Sequence, residues 1–244
     1  MSDDILQVET FGEIQRVTLN RPDRLNAINH PMAEGLLDYF EKRRRDTATR
    51  VIIVRGAGRG FTAGADLKAM GQPDQLRDGP HGDWVLRDTM SAMRACPQPI
   101  IGAVHGAAAG GGLALALACD VLVAGESAKF HSAFLKIGLS GTELGVSWRL
   151  QRAIGTSNAR EILLTGRPVD AQDAYRMGLV SRVVPDAQLD ELGMTLAKAM
   201  LEAQPDALRL TKRALDAALE IGNFTTAMES EERGQMLMIN RRRS

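Results

Sequence analysis

The sequence predicts an α/β protein on a mainly parallel sheet, followed by a helical C-terminal region. Three observations lead there. Short continuous apolar runs at Val51–Val54 and Ile100–Val104 read as strands buried on both faces. Helical patterns alternate with these runs, the rhythm of α/β units. From Trp148 onward the pattern turns helical, with Pro168 and Pro185 as punctuation and Val180–Val184 as one short strand.

In chain order, Gln7–Leu19 reads as two alternating strands joined at Gly12, and Arg21-Pro22-Asp23-Arg24 breaks them. Asn29 or His30 caps a helix with Pro31 in its first turn, and Leu36, Leu37 and Phe40 form its apolar stripe. Glu41–Arg45 is its charged exit. After Val51–Val54 comes the flexible loop Gly56-Ala57-Gly58-Arg59-Gly60, then Phe61–Leu67. Met70–Asp83 is polar and is expected to be a mobile loop. Trp84–Arg94 reads as a helix that Pro97 and Pro99 stop before the strand Ile100–Val104. A glycine-rich turn, Gly106–Gly112, leads into a helix over Leu113–Ala118. Asp120–Ala124 and Lys129–His131 are further strands, and Asp206–Leu219 and Thr225–Met238 are amphipathic helical runs. The expected division is a core over 1–190 and a helical subdomain over 191–244.

Composition narrows the function. The chain has 244 residues, 44% hydrophobic and 25% charged, which excludes disorder and collagen-like architecture. Lysine plus arginine matches aspartate plus glutamate at 30 each, so no net charge draws the chain to nucleic acid or anionic lipid. At 4% aromatic it lacks a base-stacking platform. Arg241-Arg242-Arg243 reads as a frayed basic tail, so no nucleic-acid partner is expected. Cys96 and Cys119 lie far apart, and with four scattered histidines they give no metal-ligand spacing, so no metal is expected. Both cysteines read as buried and reduced. Met1–Glu9 is acidic and lacks the pattern of a signal peptide, so a cytoplasmic protein is expected. Ile100–Cys119 has no Asp, Glu, Lys or Arg and is long enough to span a bilayer. It also carries His105 and five glycines. It therefore reads as a strand entering a buried helix, with no membrane partner.

Several signatures do not close. Gly56-Ala57-Gly58 and Gly110-Gly111-Gly112 lack the third glycine of a dinucleotide fingerprint, and no Walker lysine follows either. Gly138-Leu139-Ser140-Gly141 has Thr142 where a nucleophile elbow needs its last glycine. His131 beside Ser132 reads as a strand histidine with a satisfied hydrogen bond. What remains is two turns of small residues, Ala63-Gly64-Ala65-Asp66 and Gly110-Gly111-Gly112, each where a strand hands over to a helix. Small residues let a ligand or another backbone approach the amides. Two such turns facing one point would build an oxyanion hole from backbone N–H groups, favouring developing negative charge. Alternatively, the glycines only permit tight helix–sheet packing.

Phe61–Leu67 together with His105–Asp120 resembles the enoyl-CoA hydratase/isomerase family, the crotonases. Arg21–Ala27 is similar to the family's N-terminal signature, and Leu163–Ala171 with Ala174, Gly178, Leu179 and Val180 to its later one. The resemblance implies a crotonase-like spiral of ββα units with a C-terminal helical subdomain, acting on an acyl-CoA thioester. It implies a thioester oxygen held by the amides of Ala65 and Gly111. Arg24 and the stretch of Ala63, Asp66, Leu67 and Lys68 would lie along the CoA. Such a hole stabilises an enolate, and removing one comparable donor costs about 3 kcal/mol in the barrier. Coenzyme A is part of the substrate, with no further cofactor, and a homotrimer or dimer of trimers is implied.

The departures from the family are informative. Hydratases carry a glutamate at the second position after the triple glycine and another further on; these places fall on Ala114 and Phe134. Neither moves a proton, so paired-carboxylate hydration is not expected. One carboxylate remains, Glu143, near where the family's dienoyl-CoA isomerases place an aspartate if one inserted residue is allowed. Buried among apolar neighbours it would have a raised pKa suited to a general base. It would otherwise cap a helix beginning near Leu144. The expectation is double-bond isomerisation or another enolate step with Glu143 as the acid–base group. The alternative is a non-catalytic acyl-CoA-binding protein on the same fold.

Overall fold

The computed structural model describes residues 5–68 and 84–243; the stretch expected as a mobile loop, Met70–Asp83, lies outside them. β1 (Leu6–Phe11) and β2 (Ile14–Leu19) form the antiparallel hairpin turning at Gly12. The main sheet runs β1-β2-β3-β4-β6-β9, with β3 at Val51–Gly56, β4 at Ile100–Val104, β6 at Val121–Gly125 and β9 at Arg182–Val184. All its pairs after the hairpin are parallel. Parallel neighbours need long crossovers. α1 (His30–Arg43) joins β2 to β3, and α2 (Trp84–Ala95) lies between β3 and β4. The Asn29 side chain accepts from the Met32 amide at 3.2 Å, so the N-cap is the first of the two candidates.

A second, smaller sheet sits beyond the ends of these strands. It pairs β5 (Ala107–Ala109) with β7 (Lys129–His131) in parallel, and β7 with β8 (Val169–Asp170) in antiparallel fashion. Where β5 lies, the sequence shows only a glycine-rich turn. Three alanines carry no β-branched or alternating signal, and Ala107–Ala109 is extended because its backbone is paired on both sides. α3 (Gly111–Leu117) follows β5 directly and is buried along its length.

The continuous apolar runs have a tertiary cause. Ile52 and Val54 of β3, with Ile100 and Val104 of β4, join the core under α1, α2 and α3. Val51, Ile53, Ile101 and Ala103 point the other way and pack with Leu189 and Ala197 of α7 (Leu189–Leu201). Successive strand residues alternate faces, so a sheet covered on both sides needs apolar residues at every position. The remaining helices are α4 (Val146–Ile154), α5 (Thr156–Thr165), α6 (Ala171–Met177), α8 (Pro205–Ala218) and α9 (Phe224–Arg243). Cys96 and Cys119 are free and buried, and burial pushes both thiols up. No described helix is long and apolar enough to cross a membrane, and no group of His, Cys, Asp and Glu among the described residues could hold a metal ion.

One buried ion pair fastens α8 to the sheet. Lys212 is buried, with Nζ 2.8 Å from Asp120 Oδ2, and donates to the Gln98 carbonyl at 3.0 Å. Asp120 Oδ2 also accepts the Ile100 amide at 2.7 Å, at the start of β4. Burial holds the Asp120 carboxyl above its ordinary value, against the pull of the Lys212 ammonium. A carboxyl raised in the folded state favours folding when protonated and costs stability as pH rises through that value. Replacing Lys212 with Met therefore leaves a half-buried charge without its partner. We expect a loss of about 3 kcal/mol at pH 7 and a smaller loss near pH 4, measured by urea unfolding at both pH values.

Candidate active site

The two small-residue turns meet because two buried polar side chains tie the loops that carry them. Asn26 is 0% exposed. Its Nδ2 donates to the carbonyls of Ala57 at 2.7 Å and Gly60 at 2.8 Å, and its Oδ1 accepts the Arg21 amide at 2.8 Å. Thr62 makes four bonds: its amide donates to Ala107 O at 2.8 Å and its carbonyl accepts from Ala109 N at 3.1 Å. Its Oγ1 donates to Asn26 O at 2.7 Å and accepts from Gly64 N at 3.1 Å. Residues 25–28 and 63–66 are then zipped by Ala63 N to Leu25 O (2.9 Å), Ile28 N to Gly64 O (2.8 Å) and Asp66 N to Ile28 O (2.9 Å). The alternation skips the Ala65 amide, which has no acceptor among the described residues.

The second turn does the same. Gly110 N donates to His131 O at 2.9 Å, and Gly110 O accepts from Leu113 N and Ala114 N. The Gly111 amide, in the first turn of α3, has no acceptor among the described residues. Buried amides are almost always paired, so two unpaired ones side by side are spare donors. Their approach requires glycine at Gly64, whose φ is +87°. A Cβ there would collide with the Ala109 carbonyl and lie 3.0 Å from Gly111 N. A Cβ on Gly111 would lie 3.6 Å from Ala65 N. Tight packing and converging donors are thus two descriptions of one contact.

The surroundings are apolar. Phe134 is buried, with its ring 3.7 Å from where a Gly110 Cβ would sit, and Ala114 is buried one turn along α3 from Gly111. Leu86 of α2 and Leu144 approach the Gly111 Cβ position to 3.1 and 3.8 Å. Glu143 is half-buried, next in sequence to Leu144. It is not the helix cap that the sequence allowed. α4 begins at Val146, its N-cap is Gly145 without a side-chain hydrogen bond, and Val146 N bonds the Glu143 main-chain carbonyl at 2.9 Å. Left-handed Leu144 (φ 53°) and Gly145 (φ 82°) turn the chain between Glu143 and the helix, placing Glu143 in the preceding loop.

The other sequence candidates are spread along the zipped loops. Asp66 is paired with Arg21 at 3.0 Å. Arg24 is exposed in the short 3-10 turn Pro22–Arg24, Ala63 is half-buried, and Leu67 (54% exposed) and Lys68 face solvent. His131 bonds the Gly166 carbonyl through Nε2 at 2.8 Å, as expected of a satisfied strand histidine. Sequence reasoning assigned no role to Asn26 and Thr62, although both lie inside the quoted motifs. Their signal is a polar residue of modest size flanked by segments that must be buried.

The spiral of ββα units and the paired glycine turns define the class, a crotonase-fold protein. Comparison with known proteins agrees. Residues 9–243 match the enoyl-CoA hydratase/isomerase family. The chain is 41% identical over 232 residues to a protein of Mycobacterium tuberculosis named probable enoyl-CoA hydratase, covering 93% of this chain and 81% of the relative. Among solved structures it resembles a monofunctional enoyl-CoA isomerase from M. smegmatis (42% identity, TM-score 0.79, 92% of this chain and 98% of that one). It also resembles an enoyl-CoA hydratase from Bacillus anthracis (33% identity, TM-score 0.90, 96% and 91%). The chain belongs to the enoyl-CoA hydratase/isomerase family, whose lyases and isomerases act on acyl-CoA thioesters.

Thr62→Val removes the hydroxyl that links Asn26 O to Gly64 N and keeps the main-chain pairing with β5. The expected cost is about 2 kcal/mol, read from the urea midpoint. It should be accompanied by weaker acyl-CoA binding, because the Gly64 amide loses its acceptor.

Proposed function

We propose that the protein binds an acyl-CoA thioester with its carbonyl oxygen between the amides of Ala65 and Gly111, and catalyses double-bond isomerisation or a related enolate step. The observation that carries this is the convergence of two amides, from different turns, that have no acceptor among the described residues. Neutral N–H donors fixed in an apolar surround stabilise charge that develops on the thioester oxygen, with no reorganisation needed at the moment of reaction. This chemistry needs no metal or redox cofactor, since the amides supply the positive ends of the dipoles.

Glu143 is the acid–base group in this reading. Its carboxylate takes a proton from the carbon next to the activated system, and the electron pair moves through the carbon chain onto the thioester oxygen. The same carboxyl returns the proton at the other end of the shifted double bond. Substrate and product have the same atoms, and the enzyme is restored. The two places where the family's hydratases carry glutamates hold Ala114 and Phe134, which favours a one-carboxylate reaction over water addition. Arg24, Ala63, Asp66, Leu67 and Lys68 border the CoA arm in the same reading.

The assembly is a homotrimer or a dimer of trimers, with the C-terminal helices at the contact. Phe224 is 81% exposed, and Leu215, Met228, Met236 and Leu237 are more than half exposed. Side chains of that kind on two adjoining helices are normally covered. Light scattering at micromolar concentration should give a trimer mass or a multiple of it; a 26.4 kDa particle would refute the assembly.

Glu143→Gln keeps size and hydrogen bonding and removes the base. Isomerase turnover on enoyl-CoA and dienoyl-CoA thioesters should fall at least about a hundredfold, with acyl-CoA affinity nearly unchanged by calorimetry. Full turnover in the variant would remove Glu143 from the mechanism. Heats of binding that are equally negligible for crotonyl-CoA, CoA and crotonate would overturn the ligand class itself.

A further inference from the structure

A cavity of about 210 Å³ opens between α2, α3 and α4. Its apolar part is formed by Met90, Ala114, Leu144 and Trp148. Leu144 also approaches the Gly111 Cβ position to 3.8 Å, and Ala114 lies one turn beyond Gly111, so these two lining residues connect the cavity to the neighbourhood of the Gly111 amide. At roughly 30 Å³ per water-sized group it takes about seven such groups. That suits a short acyl chain.

The far wall is charged. Arg94 and Arg149 line the cavity, and Arg152 stands outside its lining, against Trp148. Arg94 pairs with Asp216 at 3.3 Å and lies 4.7 Å over the Trp148 ring, and Arg152 stacks on the same ring at 4.2 Å. Arg149 also lines the cavity and is half-buried, yet its guanidinium has no ion pair and no hydrogen bond among the described residues. A partly desolvated guanidinium without an acceptor is costly unless a ligand completes it. Its planar fork suits a carboxylate. Glu220 lines the same cavity and is exposed. It opposes an incoming anion from a position that water screens.

Resting on the acyl-CoA reading above, we propose that this cavity selects short acyl groups ending in a carboxylate, with Arg149 as the counter-ion. The test is calorimetry on the full chain with glutaryl-CoA and pentanoyl-CoA, which share the CoA arm and differ in a terminal carboxylate against a methyl group. The wild type should bind glutaryl-CoA at least about tenfold tighter. Arg149→Gln should abolish that preference while leaving pentanoyl-CoA affinity in place, which also reports that the variant is folded. Arg149→Lys should keep part of the preference, and Glu220→Gln should increase it. Equal or tighter binding of pentanoyl-CoA by the wild type, or a preference that survives Arg149→Gln, overturns the inference and leaves the acyl-CoA reading standing. If the wild type binds neither thioester, both fall together.

Discussion

The site depends on one polar knot, the bond from Thr62 Oγ1 to the Asn26 carbonyl, with the main-chain pairing of Thr62 to β5 on its other side. Asn26 holds the loop after β3 through Ala57 and Gly60, and Thr62 holds that loop against the strand that runs into α3. Polar groups buried at this depth are tolerated only when every partner is present. The knot therefore fixes a single arrangement of three loops. Gly64 and Gly111 approach each other as a consequence of that arrangement.

Placing the spare donors on main chain has a physical advantage. An amide in a turn pinned on both sides loses little entropy when a ligand arrives, unlike a long side chain that must first be ordered. The apolar neighbours Leu86, Phe134 and Leu144 lower the local dielectric and lengthen the reach of those dipoles. The same neighbours carry no group able to move a proton; Glu143, the proposed acid–base group, lies in the loop before α4.

The C-terminal helices differ in what they do for the core. α7 covers the second face of the sheet, so residues near its start complete the fold that carries the site. α8 is fastened by Lys212 to Asp120 and the Gln98 carbonyl, at the entry to β4. α9 packs mainly on α8 and presents exposed Phe224, Met236 and Leu237, a surface unlike that of α7. Stability of the sheet and coverage of that apolar surface are therefore separate demands on neighbouring helices.

The sequence by itself determined the class of fold, most of the strands and the four motifs that identify the family. Apolar runs, prolines and glycines act locally, so Val51–Val54, Pro97, Pro99 and Gly12 were legible without contacts. It also marked the turns Ala63–Asp66 and Gly110–Gly112, because small residues at strand-to-helix junctions are visible in one dimension; the choice of Ala65 and Gly111 within them rested on the family resemblance. Tertiary structure decided the rest. β5 is extended only because Thr62 and β7 pair with it. Glu143 lies outside α4 because Leu144 and Gly145 turn left-handed, which propensity does not foretell for leucine. Asn26 and Thr62 took their roles from partners 31 to 47 residues away, and the unmatched guanidinium of Arg149 is visible only once its neighbours are in place. Hydrogen bonds between distant loops leave no periodic trace in a chain, and only the folded geometry records them.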